Sequence, residues 1–298
     1  MEISGPAYQK KIVLTGLLHP DSLLSIRLRY SKPVTDTGQY EPVSGATVLF
    51  EKDGVPLGTA TERSAGQYNL PILPTVGHLY SVRAVVKGFE TIEASENLPD
   101  LPAFEVSVGA RNQSNPNSNP DITFSSSILS GNLIWLGISN SFHSFYKTSP
   151  TCPNCLVHET NRLLTKDVIF DSFNGYFDTF NSFYSYDYPA RFQPDYIQNN
   201  VQVSTVFVMQ NQGASWENPA PDEQNILDVF SAGKAFDQYL KTAILSQKNQ
   251  IVNTHGELDN PFAEVVPVYS NVKNGLGIFG ARNSRRIPLR ILSKVTSP

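Results

Sequence analysis

Through the first third of the chain, apolar and polar side chains alternate with a period of two. Leu24, Ile26, Leu28 and Tyr30 are interleaved with Ser25, Arg27 and Arg29, which makes one face of the segment apolar and the other wet. Ala46, Val48 and Phe50 repeat the pattern ahead of Asp53-Gly54, a two-residue hairpin signal. Tyr80, Val82, Ala84 and Val86 repeat it before Gly88, as do Phe104, Val106 and Val108, and Ile12 to Leu18 forms a further apolar run. Short strands separated by Gly and Pro turns, with no helical period, predict a β-sandwich.

The second part of the chain reads differently. Leu133 to Ile138 and Val201 to Met209 are predicted strands, the second so continuously apolar that burial on both faces is expected. One segment has a 3.6-residue period: Phe236, Tyr239, Leu240, Ala243, Ile244 and Ile251 fall on one stripe. Ser231 is the expected N-cap, and Lys234, Asp237, Lys241 and Lys248 the expected polar face. The prediction is one amphipathic helix near residues 231–251, lying on a sheet. The fold class expected is thus mainly β: an N-terminal sandwich followed by a second β-rich domain with one amphipathic helix.

Composition sharpens the division. Residues 1–110 hold only Asn69 and Asn97, whereas the remaining 188 residues hold 21 asparagines. The change falls at Asn112-Gln-Ser-Asn-Pro-Asn-Ser-Asn-Pro120, a tract with no apolar residue to bury. The expected organisation is therefore a β-sandwich over 1–111, a linker over 112–120 and a C-terminal domain over 121–298.

Charge excludes one class of partner. With 23 basic and 27 acidic residues the net charge is −4, and only 17% of residues are charged. That leaves no concentrated basic face for nucleic acid. No run reaches the roughly 18 apolar residues of a membrane span. The opening Met-Glu-Ile-Ser-Gly-Pro has neither the basic nor the apolar region of a signal peptide. Scarce cysteine and a low-charge, Tyr- and Asn-rich composition point outside the cytosol all the same.

Candidate chemistry is sparse. Gly275-Leu-Gly-Ile-Phe-Gly280 matches G-x-G-x-x-G, but Pro288 interrupts the segment after it and no strand-helix-strand unit fits. Glycines allowing a turn or close backbone approach beside a strand explain it better. Cys152 and Cys155, with His158 nearby, lack the fourth ligand of a structural zinc site. A local disulfide or two plain thiols is expected there, with no metal. No nucleophile elbow, zinc-protease or phosphate-loop motif is present, so no catalytic or cofactor-binding residue is assigned and an enzyme is not expected.

The most unusual stretch is Phe170 to Tyr188, where aromatic rings are separated by small polar residues. Asn174-Gly175 and the interleaved Asp, Asn, Ser and Thr disfavour a helix. Two readings stand: a long loop whose Phe residues fold into the core, or an aromatic contact surface. On the second, Tyr184, Tyr186 and Tyr188 are the exposed members and form the partner or ligand surface.

Two resemblances arise from these residues. Gly45-Ala-Thr-Val, Gly66-Gln-Tyr and the strand from Tyr80 to Phe89 resemble the transthyretin-like and immunoglobulin-like modules of secreted bacterial proteins. The ending Asn260-Pro-Phe, followed by Asn271-Val-Lys-Asn-Gly-Leu-Gly-Ile-Phe-Gly-Ala281, resembles a Bacteroidetes lipoprotein family of unassigned function. Cys152 and Cys155, the strand ending Val206-Phe-Val-Met-Gln210 and the step Tyr239-Leu240 fit the same family, although Pro153 and Leu156 stand where members carry a Trp. The resemblance implies an N-terminal signal ending in a lipidated Cys, attachment to the outer membrane on its periplasmic or cell-surface side, and a TonB-dependent outer-membrane receptor as partner. The implied role is a non-enzymatic accessory for substrate capture, gating or assembly. The alternative is an adhesin or glycan-binding surface protein acting without a receptor.

Overall fold

The computed structural model describes residues 8–33, 35–110, 119–128, 131–143, 155–179, 182–193, 201–210, 214–216, 218–249, 265–291 and 294–296. Its strands begin with β1 (Ile12–Leu18), β2 (Leu24–Tyr30), β3 (Thr47–Lys52), β4 (Val55–Thr59), β5 (Thr61–Ser64), β6 (Gln67–Leu70), β7 (Leu79–Val85) and β8 (Ile92–Asn97). Next come β9 (Phe104–Val108), β10 (Ile122–Ile128), β11 (Ile134–His143), β12 (Leu156–Asn161), β13 (Leu163–Thr165), β14 (Gly175–Asp178), β15 (Phe183–Tyr186) and β16 (Ala190–Arg191). The chain continues with β17 (Val201–Met209), β18 (Gln224–Ala232), the helix α1 (Lys234–Lys248), β19 (Leu276–Leu289) and β20 (Lys294–Thr296). The fold is mainly β with a single helix among the described residues, as the alternation predicts.

The residues form two compact units, one of 1–99 with 232–283 and the other of 100–231 with 284–298. This differs from the expected cut at 112–120 in two ways. β9 pairs with β10 and β20 and so belongs to the second unit. The C-terminal segment returns to the first unit, because β19 pairs in parallel with β1 from Val13↔Leu276 to Leu18↔Ala281. Most of the tract 112–120 lies outside the described residues. At its end, Asn119 donates to the Met209 carbonyl at 2.8 Å and accepts from the Trp216 indole at 3.1 Å, inside the second unit.

The first unit is a sandwich. Strands β5-β6-β2-β1-β19 face β4-β3-β7-β8, and alternate residues of both sheets meet in one core that includes Leu14, Ile26, Leu28, Val48, Phe50, Tyr80 and Val82. Asp53 and Gly54, between β3 and β4, both have positive φ (52° and 78°), as the tight hairpin turn requires. Gly45-Ala-Thr-Val and Gly66-Gln-Tyr, far apart in sequence, touch each other. The Tyr68 hydroxyl donates to the Val43 carbonyl at 2.8 Å and accepts the Ala46 N–H at 3.0 Å. The Glu62 carboxylate accepts the N–H groups of Gly45 and Gly66, and these bonds hold its pKa below the usual range.

Helix α1 belongs to this unit, and its start corrects two expectations. Ser231 is fully buried inside β18 and does not cap the helix. The N-cap residue is Gly233, and the capping oxygen comes from β8: Glu96 accepts the N–H of Ala235 at 2.7 Å and of Phe236 at 3.1 Å. Gly233 is required here because a Cβ would lie 2.5 Å from the Glu96 carboxyl carbon. Asp237, expected on the wet face, is 4% exposed, whereas Phe236, Tyr239 and Leu240 are only half-buried. The buried side of α1, with Ala235, Asp237, Ile244 and Ser246, is thus rotated from the apolar stripe. Ile251 lies outside the described residues.

In the second unit β12-β11-β18 form one sheet, with β16 also on β11, and β14-β15-β13-β17-β10-β9-β20 form another of seven strands. Its core gathers Phe124, Leu136, Phe170, Tyr186, Phe192, Phe207 and Val229, together with Ile287 and Leu289 of β19. Phe170 and Phe192 are 4.7 Å apart between ring centroids, close to the lower limit for an aromatic pair.

Candidate functional site: the outward face of the second unit

Cross-strand pairing sorts the seven-stranded sheet into two faces, since directly opposed residues point the same way. Leu163, Met209, Tyr186 and Gly175 lie in one inward row, and Thr165, Phe207 and Tyr184 in the next. The opposite row is Tyr176, Ser185, Leu164 and Val208, of which Ser185 is buried at 2% exposure, and Val206 and Phe183 join that face two residues along their strands.

The inward face is mostly apolar, with polar exceptions. Thr165 and Thr205, polar, are buried inward at 0% and 2% exposure, while Val206 is 47% exposed outward. β17 is therefore not buried on both faces, as its apolar run predicts. The Thr165 hydroxyl is satisfied locally, donating to the Val206 carbonyl at 2.7 Å and accepting the Asp167 N–H at 3.0 Å. That local satisfaction lets a threonine sit in the core without an unmet hydrogen bond.

A depression of about 260 Å³ lies on the outward face, lined by Asp121, Leu164, Lys166, Phe183, Val206 and Val208. The Lys166 ammonium stands 5.2 Å from the centroid of the Phe183 ring. Beside it the Arg162 guanidinium donates to the Tyr176 hydroxyl at 3.3 Å and pairs with the Asp187 carboxylate. The lining of the depression thus combines apolar side chains with the charged groups of Lys166 and Asp121.

The first unit offers a larger depression of about 430 Å³, lined by Glu51, Ser81, Arg83, Glu93, Ser95, Asn271 and Lys273. Its charges neutralise one another, with Glu93 between Arg83 at 3.5 Å and Lys273 at 3.9 Å. It reads as a solvated sheet face, and the smaller apolar site is the better candidate.

The aromatic tract forms a hairpin, β14 and β15, rather than a long loop. This overturns the expectation for its tyrosines. Tyr186 is 1% exposed in the core, with its hydroxyl 3.4 Å from the Phe170 carbonyl, and burial pushes its pKa up. Tyr184 packs against the same core and Tyr188 is half-buried. The rings that reach solvent are Tyr176 at 47% and Phe177 at 50% exposure. Strand alternation decides this: Tyr184 and Tyr186 are two apart and share the inward face, whereas Tyr176 points outward. Phe177 shares a row with Tyr184, its ring centroid 5.0 Å away, but sits on the last strand of the sheet beyond the core. Local sequence carries no sign of the Val206, Val208, Leu164 patch, because an apolar run reads as core on either face.

Cys155 is disulfide-bonded, and Cys152, the chain's other cysteine, lies outside the described residues. Among the described residues no three metal-ligating side chains converge. The glycine motif is a packing device. A Cβ on Gly277, whose φ is +108°, would lie 2.0 Å from the Leu14 carbonyl oxygen, and one on Gly280 would lie 2.7 Å from the Phe236 ring. Asn271 completes it, accepting the Phe279 N–H at 3.0 Å and donating to the Phe279 carbonyl at 2.8 Å. This side chain acts as a strand partner for a residue that is itself fully buried.

Of the residues that carry the family resemblance in the C-terminal third, those from Asn271 to Ala281 seat β19 against β1, and Asn260-Pro-Phe lie outside the described residues. No curated protein matches the chain. A family profile described as a domain of unknown function, DUF4249, matches residues 2–287 of the 298, and the chain belongs to that family.

Proposed function

We propose that this protein is a non-enzymatic surface lipoprotein that serves a TonB-dependent outer-membrane receptor, capturing or gating its substrate or helping to assemble it. An N-terminal lipid anchor holds it at the outer membrane. The observation that supports the reading is the outward face of the second unit, where Leu164, Phe183, Val206 and Val208 form an apolar depression rimmed by Lys166 and Asp121. A solvated face of an antiparallel sheet commonly carries polar residues, and a contiguous apolar patch on it is what a partner would cover. A receptor as partner is what the resemblance of the C-terminal third implies, and it is the part of the reading that the experiment below addresses.

Purification of the native, membrane-anchored protein under mild detergent tests this. A receptor should co-purify with the unaltered protein and be lost with Val206→Asp, while the melting temperature stays within a few degrees. Recovery of no receptor, or recovery undiminished by Val206→Asp, overturns the reading.

A second reading has its own observation. The exposed Tyr176 ring lies beside the Arg162–Asp187 pair, and an aromatic platform next to paired hydrogen-bonding groups suits a sugar ring. Binding to a glycan array that disappears with Tyr176→Ala and survives Val206→Asp would favour an adhesin.

A further inference from the structure

His78 and His143 both meet carboxylates, and they do so differently. At His78, in the first unit, the Asp53 carboxylate stands 2.7 Å from Nδ1. A neutral imidazole carries one N–H and meets that single contact without taking up a proton. His143, at the end of β11 in the second unit, has a carboxylate at each ring nitrogen. Glu223 lies 3.3 Å from Nδ1 and Asp222 lies 3.2 Å from Nε2. Only the imidazolium presents an N–H to both.

The two carboxylates are held unequally. Glu223 is fixed by the backbone, accepting the His143 N–H at 2.8 Å and the Ala220 N–H at 3.2 Å. These bonds, the His143 N–H foremost, keep its carboxyl below the usual range. Its own N–H donates to the Ala220 carbonyl at 2.9 Å, which closes the turn before β18. The Asp222 side chain is 51% exposed, and among the described residues the His143 ring is the partner of its carboxylate. Its backbone carbonyl accepts the Ser141 hydroxyl at 3.3 Å, so the chain stays in place when the side chain turns.

From this geometry we propose that His143 is a proton-operated latch: charged, it holds Asp222 and Glu223 together, and neutral, it keeps Glu223 and releases Asp222. The neutral ring places its one proton on Nδ1, toward the carboxylate that cannot move. The bare lone pair of Nε2 then faces Asp222 and repels it. From the neighbouring strands, Leu156 of β12 lies opposite His143, while His158 of β12 and the uncharged Gln224 of β18 lie opposite Ser141 on the same face. His158 is exposed, so solvent screens its charge from the ring. Loss of the proton changes this corner from one net negative charge to two and frees a carboxylate at the surface. The change falls between about pH 5 and 8, where histidine alters its charge.

Nitrogen NMR of the histidine rings in the full chain, followed across that range, tests the latch. Both nitrogens of His143 should be protonated at the acid end, and the neutral ring should be the Nδ1–H form. The Asp222 carboxyl signal should move with the ring, and that of Glu223 much less. Asp222→Asn, at a half-exposed position, should barely change the melting temperature. It should move the His143 titration to lower pH, since an opposite charge favours the charged form. If that variant fails to fold, the spectra of the unaltered protein decide alone. A neutral ring protonated on Nε2, an Asp222 carboxyl that does not follow the ring, or a titration unmoved by Asp222→Asn overturns the inference.

Discussion

The C-terminal glycine segment in the first unit and the aromatic hairpin in the second both look functional, and they turn out opposite in kind. In the first, Gly277 lets β19 come against Leu14 and Gly280 makes room for Phe236, so every unusual residue is used internally. In the second, the unusual residues are divided, Tyr186 going to the core and Tyr176 and Phe177 to solvent. Scarce conformations at close approach denote packing. Apolar surface facing out is what the proposed partner would cover. A pattern that resembles a ligand motif must therefore be judged by what its atoms already touch.

The largest test of this contrast is Gly277→Ala. The positive φ and the approach to the Leu14 carbonyl together should remove about 4 kcal/mol or more, enough to prevent folding of a marginal domain. Chemical denaturation reads it, and a loss below about 1 kcal/mol would break the account of the motif as a packing device.

Next comes Tyr186→Ala, which empties a ring-sized space in the core of the second unit and should cost about 3–5 kcal/mol. If the tyrosine faced a partner instead, its melting temperature would barely move.

Glu96 gives a middle-sized effect with a defined sign. Burial holds its carboxyl above the usual range, against the pull of the Phe236, Asn97 and Ala235 N–H groups. The folded state therefore binds this proton more tightly than the unfolded state. The stability it contributes is fully present below the unfolded pKa and is lost as pH rises through the folded one. Glu96→Gln should flatten that slope in melts across the acid to neutral range. Glu96→Ala leaves two helix N–H groups without their acceptor and should cost about 1–2 kcal/mol.

Smallest is Phe177→Ser, which should change stability by no more than about 0.5 kcal/mol. A loss comparable to that of Tyr186→Ala would mean that Phe177 is core, and the contrast within the hairpin would fail.

Much of the first unit was legible from alternation alone. β1 and β2 have the residues their patterns predict, and Asp53-Gly54 makes its hairpin, while in the second unit β9 does the same. These are local properties: side chains two apart share a face, and a left-handed turn needs particular residues. The helix was legible as an element, but its cap was not, because the acceptor Glu96 lies on β8, 139 residues before Ala235. The same holds for the units. No local signal shows that β19 will pair in parallel with β1 from the other end of the chain, so the asparagine-rich tract looked like the only boundary.

In the candidate site the division is sharper. Composition alone singled out Phe170 to Tyr188 as unusual, and strand spacing would have placed Tyr184 and Tyr186 on one side. Which side faced the core was set by the pairing of β15 with β13 and of β13 with β17. The sequence by itself determined the strands, the turns and the glycines that permit close approach, because these depend on neighbours along the chain. Only the tertiary structure decided which apolar face was left uncovered, because burial depends on the residues that arrive from elsewhere.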